Sequence, residues 1–181
     1  MVTSRSLQAD AAGGAVLDYL RCEDLDCVKA TDAVVALGAK AVPLLLAIAR
    51  EGVAADVAAQ LPGGTAVIAR IRAVDALGRI SNGRALDALT AVTKDPDARL
   101  RAAAAQALGH LEAAGGVPTL TPLLRDADDR VREAAAAALA SIGDAQALPA
   151  LRLALDSETV AHVRRAVQTA LEQIERRRKE P

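Results

Sequence analysis

The sequence predicts an all-α fold of about five stacked helical hairpins, and three observations carry that prediction. Of 181 residues, 44 are alanine and 24 are leucine. Alanine is the strongest helix former and is depleted in strands. Gly and Pro fall mostly between the alanine-leucine runs, where they punctuate helices and do not interrupt them. The chain also repeats itself: Arg70, Arg101 and Arg132 stand 31 residues apart. Self-similarity at a fixed period of this length is the signature of stacked supersecondary units.

The same interval links Leu77, Leu108 and Leu139, then Ile80, Leu111 and Ile142. It continues through Leu86, Val117 and Leu148, and through Leu89, Leu120 and Leu151. Loop chemistry is looser, since the position of Gly78 and Gly109 becomes Ala140, and that of Asp87 becomes Pro118 and Pro149. The repeat therefore specifies apolar faces more strictly than turns.

Each element follows from local signals. At the amino end, residues 15–20 read as a short leading helix, 25–37 as a first long helix, and 41–49 as its shorter partner after Gly38. Residues 50–66 form an irregular insertion that later units lack, expected to be a linker with one weak helical turn or a loop bordering a binding surface. A second unit begins near Val67. In the third, Asp95 is expected to cap, Pro96 fits a first turn, and 98–111 carries an apolar face. Gly115 and Gly116 end that helix, and a shorter one follows over 117–124. The fourth unit repeats the scheme over 128–142 and 145–155, turning at Gly143 and Asp144. The fifth is offset by 32, with Val163 and Arg164 matching Val131 and Arg132. Its long helix runs toward Arg178 with no second helix after it. Residues 157–181 thus read as a capping helix and tail, and 1–181 as a single repeat domain.

Composition narrows the function. Lys and Arg total 22 against 23 Asp and Glu, a net charge of −1, which gives no overall attraction to nucleic acid or anionic membrane. The basic run 176–179 lies at a helix C-terminus, where the macrodipole favours positive charge. No aromatic accompanies it to stack on bases, so an end cap is preferred to a nucleic-acid patch. The longest apolar run, 41–49, is too short to span a bilayer. No membrane partner is expected, and a cytoplasmic location follows. Cys22 and Cys27 lack a second pair or a nearby His, so buried free thiols are expected in place of a zinc site or disulfide framework.

Two segments resemble a known family. DDRVREAAAAALASIG at 128–143 with DAQALPALRLAL at 144–155, and PDARLRAAAAQALG at 96–109, are similar to the HEAT-like repeats of the phycobilin-lyase type. The resemblance is strong over 67–175 and fair over 25–49. It implies a right-handed α-α superhelix, a HEAT-like and armadillo-like solenoid. It also implies that Asp97 and Asp128, with Arg101 and Arg132, belong to a polar ladder joining units. Independently, their four-residue spacing sets each acid and base on adjacent turns of one helix. The family spans pigment lyases, scaffolds and regulators, so it says little about activity.

No catalytic or metal-ligating residue and no cofactor is expected. His110 and His162 are not equivalent in the repeat, and neither belongs to the paired His-Glu motif of helical-repeat metal hydroxylases. Asp75 and Asp87 lack a neighbouring histidine. What remains is the face made by the second helices of each unit. Lys40, Arg84, Asp87, Thr119, Thr121, Gln146 and Arg152 are the candidate partner-binding residues, lying beside the repeated leucines. Their mixed polarity suits a protein or peptide partner of a monomer or homodimer. The function expected is a noncatalytic scaffold or adaptor, with a bilin lyase-like or chromophore-chaperone role as the alternative.

Overall fold

A computed structural model describes residues 1–22, 26–61, 66–80, 83–112 and 114–179, the side chains of 26–28, 83, 84 and 114 excepted. Twelve α-helices lie among the described residues. They contain no strand, only an isolated bridge between Val2 and Val53. By contacts the chain divides into two compact units, Met1–Ala88 and Leu89–Pro181.

The first unit holds α1 (Ser4–Leu7), α2 (Ala11–Arg21), α3 (Asp26–Leu37), α4 (Val42–Glu51), α5 (Ala55–Ala58), α6 (Ala66–Arg79) and the start of α7 (Gly83–Val92). The leading helix is longer than the apolar pattern of 15–20 implied, because Asp10 caps it by accepting from the Gly13 N–H at 2.7 Å. Its C-terminus is closed from α6. Arg72 Nη1 donates to the carbonyls of Tyr19, Leu20 and Cys22 at 3.1, 2.7 and 2.9 Å, satisfying acceptors that a helix end leaves over. Tyr19 is buried and donates its hydroxyl to Asp75 Oδ2 at 2.9 Å, and Arg79 Nε donates to the same oxygen at 2.9 Å. Burial first, and then the Asp75 carboxylate, push the Tyr19 phenol upward. Cys22 is disulfide-bonded, which corrects the expectation of a free thiol there, and the side chain of Cys27 lies outside the described residues.

The segment after α4 is tied to the chain's first residues. Val2 N–H donates to Gly52 at 3.2 Å, Ala54 N–H donates back to Val2 at 2.8 Å, and Ser4 N–H donates to Asp56 Oδ2 at 3.2 Å. Val53, Val57 and Leu61 are buried, so α5 packs as part of the unit. Gly52 turns the chain at φ 76°, a left-handed value that glycine adopts without strain.

The second unit contains the rest of α7 with α8 (Ala98–His110), α9 (Val117–Leu123), α10 (Asp129–Ile142), α11 (Leu148–Ser157) and α12 (Ala161–Lys179). First helices α8, α10 and α12 pack in succession, α9 lies on α10, and α11 lies on α12. The repeated Leu108, Leu139, Leu120 and Leu151 are fully buried between them. Small residues set the spacing: a Cβ on Gly109 would lie 2.8 Å from Ala138 Cα, so α8 and α10 meet nearly backbone to backbone.

The helix caps differ from the expected one. Asp97, not Asp95, caps α8 through the Arg99 N–H, and Asp128 does the same for α10 through Arg130. Asp95 instead accepts from the Asp97 N–H at 2.9 Å, one turn before the helix. The polar ladder is present, but with other acids. Arg101 donates Nε and Nη2 to Asp126 at 2.8 and 2.7 Å, and Arg132 donates the same edge to Glu158 at 2.7 and 3.1 Å. Each Arg also holds its own loop: Arg101 Nη1 meets Asp95 O at 3.0 Å, and Arg132 Nη1 meets Asp126 O at 3.0 Å. Asp97 and Asp128 are occupied as caps, so the carboxylate comes from the following loop.

The last described helix, α12, is more polar than α10, on which it packs. At an offset of 32, buried Ala136 and Ala140 of α10 correspond to exposed Gln168 and Glu172 of α12, which hydrogen-bond at 3.1 Å. Arg177 of the basic run donates to Ser141 O at 3.0 Å, covering the C-terminus of α10. No single described helix is long and apolar enough to cross a membrane.

Candidate binding groove

Proline punctuates the second helices of the C-terminal unit. Pro118 and Pro149 occupy early positions in α9 and α11, where a missing N–H costs nothing. Inside α9, Pro122 removes another donor, and Thr121 returns its hydroxyl to Val117 O at 2.8 Å. The helix ends at Leu123, and Arg125 N–H closes it onto Pro122 O at 3.1 Å. This abbreviated helix leaves a cleft of about 460 Å³ beside α11.

Thr121, Pro122, Leu124, Arg125, Ala150, Leu153 and Ala154 line the cleft. Leu148, Leu151 and Ala154 form the buried stripe of α11, and Leu153 points away from it at 50% exposure. Together with Pro122, Ala150 and Ala154, Leu153 gives the cleft a continuous apolar wall. Ala150 and Ala154, one turn apart, keep that side of the cleft low. Arg125 is exposed and its side chain makes no hydrogen bond or ion pair among the described residues.

The candidate residues from the sequence fall in several places. Thr121 lines the cleft. Thr119 shares a hydroxyl hydrogen bond of 3.3 Å with Thr90 of α7. Arg152 donates to Glu175 Oε1 at 2.8 Å with both side chains well exposed, and it holds the Glu175 carboxyl below its usual range. Gln146 is exposed in a single turn of 3-10 helix, Ala145–Ala147. Lys40, at the end of the turn Gly38–Lys40, and Asp87, on α7, are exposed in the N-terminal unit. The side chain of Arg84 lies outside the described residues. Sequence reasoning missed Leu153 because it followed polar positions; the available signal was an apolar residue off the buried stripe, one period after Pro122.

Other surfaces are more polar. Between α10 and α12, His162 Nε2 stands 3.7 Å from Asp129 Oδ2 and 3.9 Å from Glu133 Oε2, with all three side chains nearly half exposed. Among the described residues no group of three or more His, Cys, Asp or Glu side chains is arranged to hold a metal ion.

The comparisons with known proteins agree on the fold. A model of HEAT repeats matches residues 64–115 and 91–172. Among solved structures, the complex of CpcE and CpcF of phycocyanin lyase from Nostoc sp. PCC7120 is similar at 25% identity and TM-score 0.68, covering 88% of this chain and 97% of that one. Human deoxyhypusine hydroxylase in complex with glycerol is similar in fold at 21% identity and TM-score 0.57, over 95% and 76% of the two chains. An engineered protein shares the fold at 21% identity and TM-score 0.60, over 94% and 78%. No curated protein sequence matches the chain.

Proposed function

Because the chain belongs to the HEAT-repeat family, we propose that it is a noncatalytic scaffold or adaptor that binds a protein or peptide along α9 and α11. The observation that carries this reading is Leu153, half exposed over a cleft walled by Pro122, Ala150 and Ala154. Stacked repeats present extended surfaces made from several units, and recognition through such a surface needs no reactive group. With no Trp or Phe in the chain, affinity has to come from aliphatic contact spread over the cleft and from charge. The cleft belongs to one unit of one chain, so a monomer or a homodimer can use it.

A photo-crosslinking residue at position 153, incubated with extract of the source cell, tests the reading. Adducts at 153, absent when the same group replaces Thr169 on α12, are the expected result. Equal labelling at both positions, or labelling only at 169, would move the site to another face.

The similarity to a phycocyanin lyase complex over 97% of that chain favours one second reading, a lyase-like protein or chaperone for a bilin chromophore. Titration of bilins into the purified chain, followed by absorbance, decides it. A saturable spectral shift supports that reading, and an unchanged spectrum removes it.

A further inference from the structure

The groove carries information about the chemistry of its occupant. Its lining contains one charged side chain, Arg125, and no carboxylate. Four arginines of the same unit are engaged, Arg101 with Asp126, Arg132 with Glu158, Arg152 with Glu175 and Arg177 with Ser141 O, and none of them lines the cleft. The nearest acid in sequence, Asp126, accepts both donors of Arg101 and a backbone N–H from Asp128, so it is already committed. Arg125 therefore stands as a free guanidinium at the edge of an apolar cleft. Such a group forms two parallel hydrogen bonds with a planar carboxylate, and its methylene stem covers apolar surface beside it.

Resting on the binding role proposed above, we infer that the α9–α11 groove selects a peptide segment in which an aliphatic side chain adjoins an aspartate or glutamate. The aliphatic group sits between Pro122 and Leu153, over Ala150 and Ala154. The carboxylate meets Arg125. A basic segment is disfavoured at the same place, because the lining offers it no acid and one like charge. An aromatic anchor would find no aromatic side chain in the lining to stack on.

Selection of a displayed library of short random peptides on the intact chain tests this, with Leu153→Asp and Arg125→Glu as parallel targets. The expected result is enrichment of segments pairing Leu, Ile or Val with a nearby Asp or Glu, lost on Leu153→Asp. Arg125→Glu is expected to weaken those peptides by up to about fivefold, the upper end for one exposed charge pair, and to enrich basic neighbours instead. Peptides that need Leu153 but show no acidic preference and bind Arg125→Glu equally overturn the inference and leave the scaffold role standing. Failure to recover any peptide dependent on Leu153 overturns both. Both substitutions are at exposed positions, and retained helical circular dichroism confirms that each target is folded.

Discussion

The two units of this chain solve the same problem, holding short helices together through their loops, in different ways. In the C-terminal unit one device is used repeatedly: an arginine at a fixed place in the repeat grips its own loop by carbonyl oxygens and the next loop by a carboxylate. In the N-terminal unit the period fades and each contact is individual. Arg72 closes α2, Tyr19 reaches Asp75, and the backbone of Val2 pairs with Gly52 and Ala54. Arg70, at the periodic position, donates Nε to Ala49 O of α4 at 2.8 Å. Regularity in sequence therefore marks where one interaction has been copied, and its loss marks where contacts have been fitted singly.

Removing one member of each set should separate them. Arg132→Ala leaves Glu158, whose side chain is only 7% exposed, without its partner and is expected to cost about 3 kcal/mol. Arg72→Ala removes hydrogen bonds to carbonyls but strands no ion, and about 1–2 kcal/mol is expected. Urea denaturation of both variants measures the difference; equal losses would erase the distinction between a copied ion pair and a fitted clamp.

Acid should act on the copied device first. The Arg132 hydrogen bonds hold the Glu158 carboxyl at about 2, against an ordinary 4.5. Its stabilisation is present above pH 4.5 and is lost as pH falls toward about 2. The Arg101 hydrogen bonds lower the Asp126 carboxyl in the same direction. A loss of about 2 kcal/mol from Glu158 is expected after allowance for screening. The pH series repeated on Arg132→Ala should be flatter, and an unchanged slope would remove Glu158 as its cause.

Smaller effects should come from glycines that differ in what surrounds them. Gly109→Ala brings a methyl to 2.8 Å from Ala138 Cα and forces α8 and α10 apart, at an expected cost of about 1–2 kcal/mol net of the gain in helix propensity. In the N-terminal unit, a Cβ on Gly13 would collide with the Leu7 carbonyl, whereas one on Gly14 meets nothing within 4 Å. Gly14→Ala is therefore expected to stabilise by about 0.5–1 kcal/mol. Thermal melts of the two variants, Gly109→Ala and Gly14→Ala, check both signs.

Much of the C-terminal fold was legible in the sequence because burial there is periodic. Leu108 and Leu139 stand 31 apart and are fully buried, as are Leu89, Leu120 and Leu151 at the same interval. The ladder acids were not legible. Asp97 stands four residues before Arg101 and offers the simpler pairing, but a cap at a helix start competes for that carboxylate and wins. Asp126 lies 25 residues away, and only the packing of hairpins brings it near. The groove was half legible: Thr121 follows from the face of the second helix, whereas Leu153 needs the packed orientation of α11 to show that it turns outward.

The placement of the ladder residues also bears on how such a chain changes length. Residues 101–131 span one full period and contain both a gripping arginine and the carboxylate that answers it. An in-frame tandem duplication of that stretch would bring its own lock and key, leaving Arg132 with Glu158 and the polar surface of α12 at the end where they already are. The number of hairpins is therefore a variable that duplication inside this unit is expected to alter without inventing a new contact.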